Sequence, residues 1–272
     1  MTKSEIKIGD LDMAFVEETT FSKMLVHCVA KMQQRIQEEC KKVNGNYENM
    51  MSFLTNEEKK VDELYWLYRP ILNCLKSIDD SIFFISNYNK RDYLRKEFVP
   101  FDEFCLYHYD VVCHKIATLK DLYFKLVDKL YCLNLKSFSW KELEKQKQSI
   151  NNAHLFSILQ ENFNVSAMLE RQRHRSSHEG RIKLHLLNEF SILQMQVSLR
   201  DFMPEHKKKE LCSKVSPIYY NKMIEAKEKV LDFLYKVRHN SILITRELFV
   251  SLTYRLCSFL NRLFPNEKIE IE

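Results

Sequence analysis

The chain has 272 residues, and its 42 basic and 37 acidic side chains give a formal charge of 42 − 37 = +5 with histidine neutral. Hydrophobic residues make up 45% of the chain, which is ordinary globular usage and excludes a disordered protein. Three glycines and five prolines cannot supply the tight turns of a sheet protein or the glycine-rich phosphate loops of Rossmann and P-loop enzymes. These numbers predict a mostly helical protein with few, long elements.

Two helices are predicted in the N-terminal third of the chain. The first is expected over residues 20–42, ending before the Asn-Gly-Asn sequence at 44–46. The Thr-Asn-Glu-Glu sequence at 55–58 has the spacing of a capping box and predicts the start of the second helix. Pro70 should kink or break this helix because it has no N–H to donate, and the helix should then resume toward Tyr88.

Helical periodicity is strongest in the middle of the chain. Apolar residues at 109, 112, 116, 119, 123, 126 and 130 step by three and four, which places them on one stripe of a long helix near Asp102 to Cys132. Two further helices are predicted, roughly over 152–173 and 181–202.

The last part of the chain predicts a solvated connection followed by a final helix. Residues 204–216 contain three consecutive lysines and indicate the connection. Ser216 followed by Pro217 is a good N-cap and N1 pair for a helix that Pro265 should stop, and the polar step at 238–240 could bend or divide that helix.

Together these elements predict an all-α protein, an elongated up-and-down bundle of long amphipathic helices. Residues 1–99 would form an N-terminal helical extension and residues 100–272 the main bundle, unless both belong to one continuous domain.

The sequence also predicts a cytoplasmic protein that does not contact a membrane. Its N-terminus has no apolar stretch of signal-peptide length, and the most apolar short run, at 81–86, is too short to cross a bilayer. The eight cysteines are scattered without a Cys-x-x-Cys pair, which is typical of buried thiols in a reducing compartment.

Residues 169–181 stand apart in composition. Four arginines fall within 11 residues, together with two histidines and a glycine; they are Arg171, Arg173, Arg175, Arg181, His174, His178 and Gly180. The glycine indicates a junction between helices. On an unbroken helix, positions 173 and 178 would point about 140° apart. They converge on one ligand only if the backbone departs from the helix between them, or if a second subunit completes the site.

An arginine and a histidine that do converge can cleave an RNA phosphodiester without a metal. The histidine takes the proton of the ribose 2′-hydroxyl or returns one to the leaving oxygen. The arginine clamps the phosphate oxygens with its bidentate, permanently charged fork and meets the charge of the transition state. The neighbouring Arg171, Arg175 and Arg181 could hold flanking phosphates.

The segment from Arg173 to His178 resembles the signature of the HEPN superfamily, in which an arginine is followed by a polar residue, a few variable residues and a histidine. The resemblance implies a helical bundle with the motif at a helix junction, and a metal-independent endoribonuclease whose active site forms at a homodimer interface from two Arg–His pairs. It gives Arg173 and His178 the catalytic roles and His174 the polar position, with Arg171 as the alternative motif arginine.

The resemblance further implies RNA as the partner, no cofactor or metal, and a role as a toxin, in phage defence or in RNA processing, with an antitoxin-like protein as a further partner. Some members of the superfamily keep the fold but not the activity. A non-catalytic helical interaction module, or one that binds nucleotide or RNA without cleavage, is therefore the alternative.

Three other groups of residues carry weaker signals. Cys105, His108, Cys113 and His114 are metal-ligand types, but their helical spacing spreads them too widely for one ion, so buried thiols and surface imidazoles are expected. Arg238, His239 and Asn240 would line the motif's cleft only if the last helix packs beside it. The basic stretches at 89–96 and 207–209 are expected to be mainly solvated charge, with a share in RNA binding as the alternative.

Overall fold

The computed structural model is an all-α bundle, which confirms the predicted fold class. It describes residues 12–42, 52–88, 101–179 and 202–265, with Leu187, Phe190, Ile192 and Met195 between the last two ranges; of residues 168, 170–179, 208 and 211–217 it describes the backbone alone. Within these residues no strand occurs. The α-helices with described bounds are α1 (Ala14–Glu17), α2 (Thr20–Lys42), α3 (Asn56–Ser86), α4 (Phe101–Tyr131), α5 (Trp140–Lys145), α6 (Lys147–Ile150), α7 (Ala153–Glu179) and α8 (Glu205–Leu263).

Helices α2 and α4 have the predicted bounds to within one residue. Helix α3 also begins where its capping box predicts, but it continues through Pro70, so the break expected there is absent. Proline removes one backbone hydrogen bond from a helix. Tyr68 and Ile71, which lie on either side of Pro70, are both buried in unit 1, so the helix packs into the same core just before and just after the proline.

Helices α7 and α8 are longer than predicted. Asn152 caps α7 by accepting the Leu155 N–H at 2.9 Å, but the helix continues to Glu179 instead of ending near residue 173. Helix α8 starts at Glu205 and passes through 216–217 and 238–240, so the expected solvated connection at 204–216 is helical. This stretch is rich in Lys and Glu, which are strong helix formers. The helix predicted over 181–202 lies largely outside the described residues.

The contacts divide the chain into two compact units. Unit 1 consists of Met1–Leu75, Thr118–Val165 and Asn240–Glu272, and unit 2 of Lys76–Ala117 and Ser166–His239. Both units combine segments from either side of residue 100, where the sequence analysis placed a boundary. Helices α3, α4, α7 and α8 contribute residues to both units.

Aromatic side chains from three helices meet in the core of unit 1. Phe249 of α8 stacks on Phe21 of α2 with ring centroids 4.7 Å apart, and it contacts Tyr68 of α3 at 5.6 Å. Tyr123 of α4 is fully buried, and its hydroxyl lies 2.5 Å from the Thr245 hydroxyl of α8. This bond satisfies the one polar group that the Tyr123 side chain brings into the core.

The capping box at the start of α3 is confirmed and is extended by an arginine from α2. The Thr55 N–H donates to Glu58 Oε2 at 2.8 Å, and the Glu58 N–H donates to Thr55 Oγ1 at 3.2 Å. Arg35 donates from Nε to Glu58 Oε1 at 2.7 Å, and from Nη2 to Glu58 Oε2 and to the Phe53 carbonyl. Burial alone would raise the pKa of Glu58, but the hydrogen bonds from Arg35 and Thr55 lower it. Glu58 therefore stays ionised and holds α2 to the start of α3.

The substitution Glu58→Gln should destabilise unit 1 by about 1–3 kcal/mol, because the buried carboxylate that accepts from Arg35 and Thr55 loses its charge, while Arg35 keeps only its more exposed partner Glu39. The expected result is a lower midpoint of urea unfolding, measured by circular dichroism. Because the pKa of folded Glu58 is lowered, its stabilisation is present above the unfolded carboxyl pKa and is lost as pH falls through the folded value. The difference between wild type and variant should therefore shrink in acid. The exposed neighbour Glu57 provides the control variant, Glu57→Gln. An equal loss of stability in this control would contradict the role given to Glu58.

A chain of aromatic contacts runs through the core of unit 2. Ring centroids lie 5.0 Å apart between Tyr88 and Phe101, 5.4 Å between Phe101 and Phe190, and 5.0 Å between Phe190 and Tyr219. Lys227 of α8 donates from Nζ to the carbonyl of Ser86 at 2.7 Å. Ser86 is the last residue of α3, so this ammonium group meets the negative end of the helix dipole.

Unit 2 also contains a buried histidine, which corrects part of the sequence analysis. His108 was expected to be a surface imidazole, but it is 8% exposed. Its ring stacks on Phe84 at 5.3 Å and meets Phe104 edge-on at 4.6 Å. Burial lowers the pKa of His108, because the charged imidazolium would lose its hydration among these rings.

This environment predicts that unit 2 loses stability in mild acid. As pH falls below the ordinary imidazole value of 6.5, the unfolded chain takes up a proton that folded His108 resists, so unfolding becomes easier. The substitution His108→Phe should flatten the pH dependence of thermal unfolding between about pH 7 and pH 5. His114 is an exposed imidazole on the same helix, and equal flattening in His114→Gln would show that burial is not the cause.

Candidate functional site

The Arg–His motif lies at the end of α7, in unit 2. The backbone is helical up to Glu179, so the motif is part of a continuous helix. The side chains of Arg171, Arg173, His174, Arg175 and His178 lie outside the described residues, as does Arg181 altogether. The roles assigned to these six residues therefore stay predictions.

The continuous helix fixes the angle between the two predicted catalytic positions. A helix turns about 100° per residue, so positions 173 and 178 lie about 140° apart around its axis. The departure from helical backbone that would bring them together within one chain is absent, because α7 includes both positions. Of the two arrangements open to the sequence, only the one completed by a second subunit fits this backbone.

The two positions also differ in how they lie relative to the buried face of α7. Asn162, Ser166 and Leu169 are buried at 4%, 0% and 1% exposure, and their spacing of four and three puts them on one face of the helix. Position 173 continues this line to within roughly 15°, whereas position 178 lies on the opposite side of the helix axis. The arginine position thus follows the face by which α7 packs, and the histidine position does not.

The cysteines and histidines of α4 do not form a metal site. Cys105 and Cys113 are buried, and burial raises the pKa of Cys105, which disfavours the thiolate form that binds metals. His108 is enclosed by aromatic rings, and His114 is exposed with Nε2 3.6 Å from an oxygen of Asp110. Across the part of the chain that the structure describes, no three His, Cys, Asp or Glu side chains are grouped to hold a metal ion.

Arg238 has a structural partner that the sequence analysis did not identify. Its guanidinium forms an ion pair with Asp79 of α3 while 15% of the side chain is exposed, so it links α8 to α3 inside unit 2. The two residues are 159 positions apart, and no local pattern connects them. The neighbouring His239 has a buried Nδ1 without a hydrogen-bond partner among the described residues.

The basic stretches singled out from the sequence are only partly described. The stretch at 89–96 lies outside the described residues, and so does the side chain of Lys208. Lys207 and Lys209 are exposed near the start of α8, in agreement with the expectation of solvated charge. Their contribution to RNA binding stays a prediction.

Among the helices that the structure describes, none combines the length and the apolar character that crossing a bilayer requires.

Comparison with known proteins gives no relative from which a function could be transferred. No family model matches the chain, and none of the curated proteins or solved structures is significantly similar to it. The likeness to the HEPN superfamily therefore depends on the motif of α7 and on the all-α fold class.

Proposed function

We propose that the protein is a metal-independent endoribonuclease of the HEPN type that acts in the cytoplasm as a homodimer. The observation that supports the proposal is the position of the motif Arg173–His178 at the end of a long helix in an all-α protein. The crowding of arginines around it suits a phosphate backbone, because each guanidinium is permanently charged and can bind two oxygens at once.

In this proposal His178 acts as the general base. Its imidazole takes the proton of a ribose 2′-hydroxyl, and the oxygen attacks the adjacent phosphorus while the bond from phosphorus to the 5′ oxygen breaks. A protonated imidazole returns a proton to the leaving 5′ oxygen, so the products are a 2′,3′-cyclic phosphate and a 5′-hydroxyl end. Such help from an acid or base is typically worth about 10²–10⁴-fold in rate.

The arginines stabilise charge in this reaction. Arg173 binds the non-bridging oxygens of the reacting phosphate, on which negative charge increases in the transition state. His174 occupies the polar position beside it, and Arg171, Arg175 and Arg181 bind flanking phosphates. Because positions 173 and 178 lie about 140° apart on α7, the proposal pairs Arg173 of one copy with His178 of the other.

The first test is cleavage of a labelled single-stranded RNA in EDTA. Wild type should cleave, and Arg173→Ala and His178→Ala should each lose about 10²-fold or more in rate while keeping the helicity of the wild type. His154→Ala is the matched control, since His154 is exposed on the other end of the same helix. Equal cleavage by all four proteins would contradict the proposal and indicate a contaminating nuclease. The variant Arg171→Ala decides between the two candidate arginines.

The second test asks whether the site is shared between two copies. In an equal mixture of Arg173→Ala and His178→Ala, half of the dimers are mixed, and each mixed dimer keeps one intact Arg–His pair. The mixture should therefore regain about one quarter of the wild-type rate, whereas each variant alone stays inactive. A mixture as inactive as its components would contradict a shared site.

The alternative is a non-catalytic helical module that serves in protein interaction or binds nucleotide or RNA without cleavage. It is favoured by the same continuous helix, because a single copy holds the two positions on different faces. Binding of RNA without any cleavage, in wild type as in His178→Ala, would select it. A toxin, defence or RNA-processing role and an antitoxin-like partner follow from the resemblance and belong to the proposal only if cleavage is found.

A further inference from the structure

Unit 1 carries a concentration of positive charge that no sequence motif marks. Between Lys120 and Lys147 there are seven lysines and four acidic residues, so 7 − 4 = +3 of the chain's net +5 falls in this short stretch. Four of these lysines surround the loop between α4 and α5 and are exposed. We call Lys125, Lys136, Lys141 and Lys145, together with the ring of Phe138, the lysine patch.

The loop that carries the patch is held in place by hydrogen bonds. Asp128 Oδ1 accepts the N–H of Leu135 at 3.0 Å, which joins the loop to the last turns of α4. Ser139 caps α5 by accepting the Glu142 N–H at 3.4 Å. The half-buried Asp128 thus holds the loop, and Asp121, nearer the middle of α4, lies 3.8 Å from Lys120, which is outside the patch.

Three lysines of the patch lie close enough to act on the same carboxyl group, that of Glu142. Lys145 forms an ion pair with Glu142 and, with weaker contributions from Lys136 and Lys141, lowers the pKa of that carboxyl group. Lys125 reaches the loop from α4, with its ammonium 5.3 Å from the centre of the Phe138 ring. Glu142 and the exposed Glu144 can balance two of the four charges, so the patch keeps a net positive charge of 4 − 2 = +2.

Phe138 gives the patch a second feature, an accessible aromatic ring. It is 36% exposed, although a ring of this size usually adds to a core. Surfaces that bind single-stranded nucleic acid combine positive charge along the phosphate backbone with aromatic rings on which bases stack. The neighbouring Trp140 is already packed against Phe156 and Phe163, with ring centroids 6.0 and 5.9 Å away.

We infer that the lysine patch of unit 1 binds the phosphate backbone of single-stranded RNA, with Phe138 stacking on a base. RNA fits better than an anionic membrane, because membrane-surface binding uses a broad apolar face that inserts between lipids, and here the ring of Trp140 is packed against Phe156 and Phe163. The choice of RNA as the anion rests on the proposed function. The patch itself uses none of the residues of the Arg–His motif.

The test measures binding of a labelled single-stranded RNA by fluorescence anisotropy, with the full chain carrying His178→Ala so that the RNA stays intact. The patch variant is Lys125→Gln, Lys136→Gln, Lys141→Gln and Lys145→Gln combined. The control variant combines Lys23→Gln, Lys59→Gln, Lys60→Gln and Lys229→Gln, four exposed lysines outside the patch, so that both variants lose the same charge.

The patch variant should bind the RNA about tenfold or more weakly at 0.1 M salt, and its log–log salt slope should fall by about 3 for four lost phosphate contacts. The control should change affinity less than about threefold, and Phe138→Ala should weaken binding without changing the slope, because stacking releases no counterions. Equal losses in the patch and control variants, or no binding by the parent protein, would overturn the inference.

Two further arms separate this inference from other outcomes. Vesicles of phosphatidylserine and phosphatidylcholine replace the RNA in the first arm, and patch-dependent binding to vesicles but not to RNA would overturn it. The second arm measures RNA cleavage by wild type and by the patch variant, both with His178 intact. RNA binding that depends on the patch without cleavage by wild type contradicts the nuclease proposal alone, whereas cleavage with patch-independent binding contradicts this inference alone.

Discussion

The continuity of the long helices is the constraint on which the rest of this structure depends. With few glycines and prolines to end them, α3, α4, α7 and α8 satisfy their backbone hydrogen bonds internally over 27 to 59 residues. Each of these helices contributes to both compact units. A local sequence signal for a break is not sufficient to interrupt such a helix when buried side chains on both sides of it, such as Tyr68 and Ile71, belong to one core.

The same continuity determines what the Arg–His motif is able to do. A helix that turns about 100° per residue cannot present positions five apart to one phosphate. The proposed chemistry consequently requires a second copy of the chain, and a monomer with this backbone would hold the two groups apart. In this proposal, catalysis therefore depends on whether two copies of the chain assemble.

Polar side chains link the helices where the apolar core is interrupted. Arg35 binds Glu58, Tyr123 binds Thr245, and Arg238 binds Asp79. In each pair a buried or half-buried polar group finds its partner on another helix, which avoids the cost of an unsatisfied group in the interior. These bonds favour one register between neighbouring helices, which apolar stripes alone specify only loosely. The lysine patch is different, because its charges outnumber their internal partners and are left for an external anion.

Local patterns in the sequence were sufficient for the fold class and for several helix ends. The capping box at 55–58, the apolar stripe of α4 and the bounds of α2 all follow from residues close together in the chain. The sequence also identified the motif of α7, because its residues are neighbours, although the side-chain arrangement there stays a prediction. These features depend on interactions within a few turns of helix, which spacing and propensity describe well.

Tertiary packing decided the rest. Helix α3 continues through Pro70, where a kink or break was expected, and α8 is already helical at 216–217, where the Ser-Pro pair favoured a helix start. His108 is buried because Phe84, from a different helix, covers its ring. The lysine patch arises because Asp128 draws the loop against α4 and so brings Lys125 to Phe138. Sequence spacing could not reveal the surroundings of His108 and Lys125, since each depends on side chains that become neighbours only when separate elements of the chain pack together.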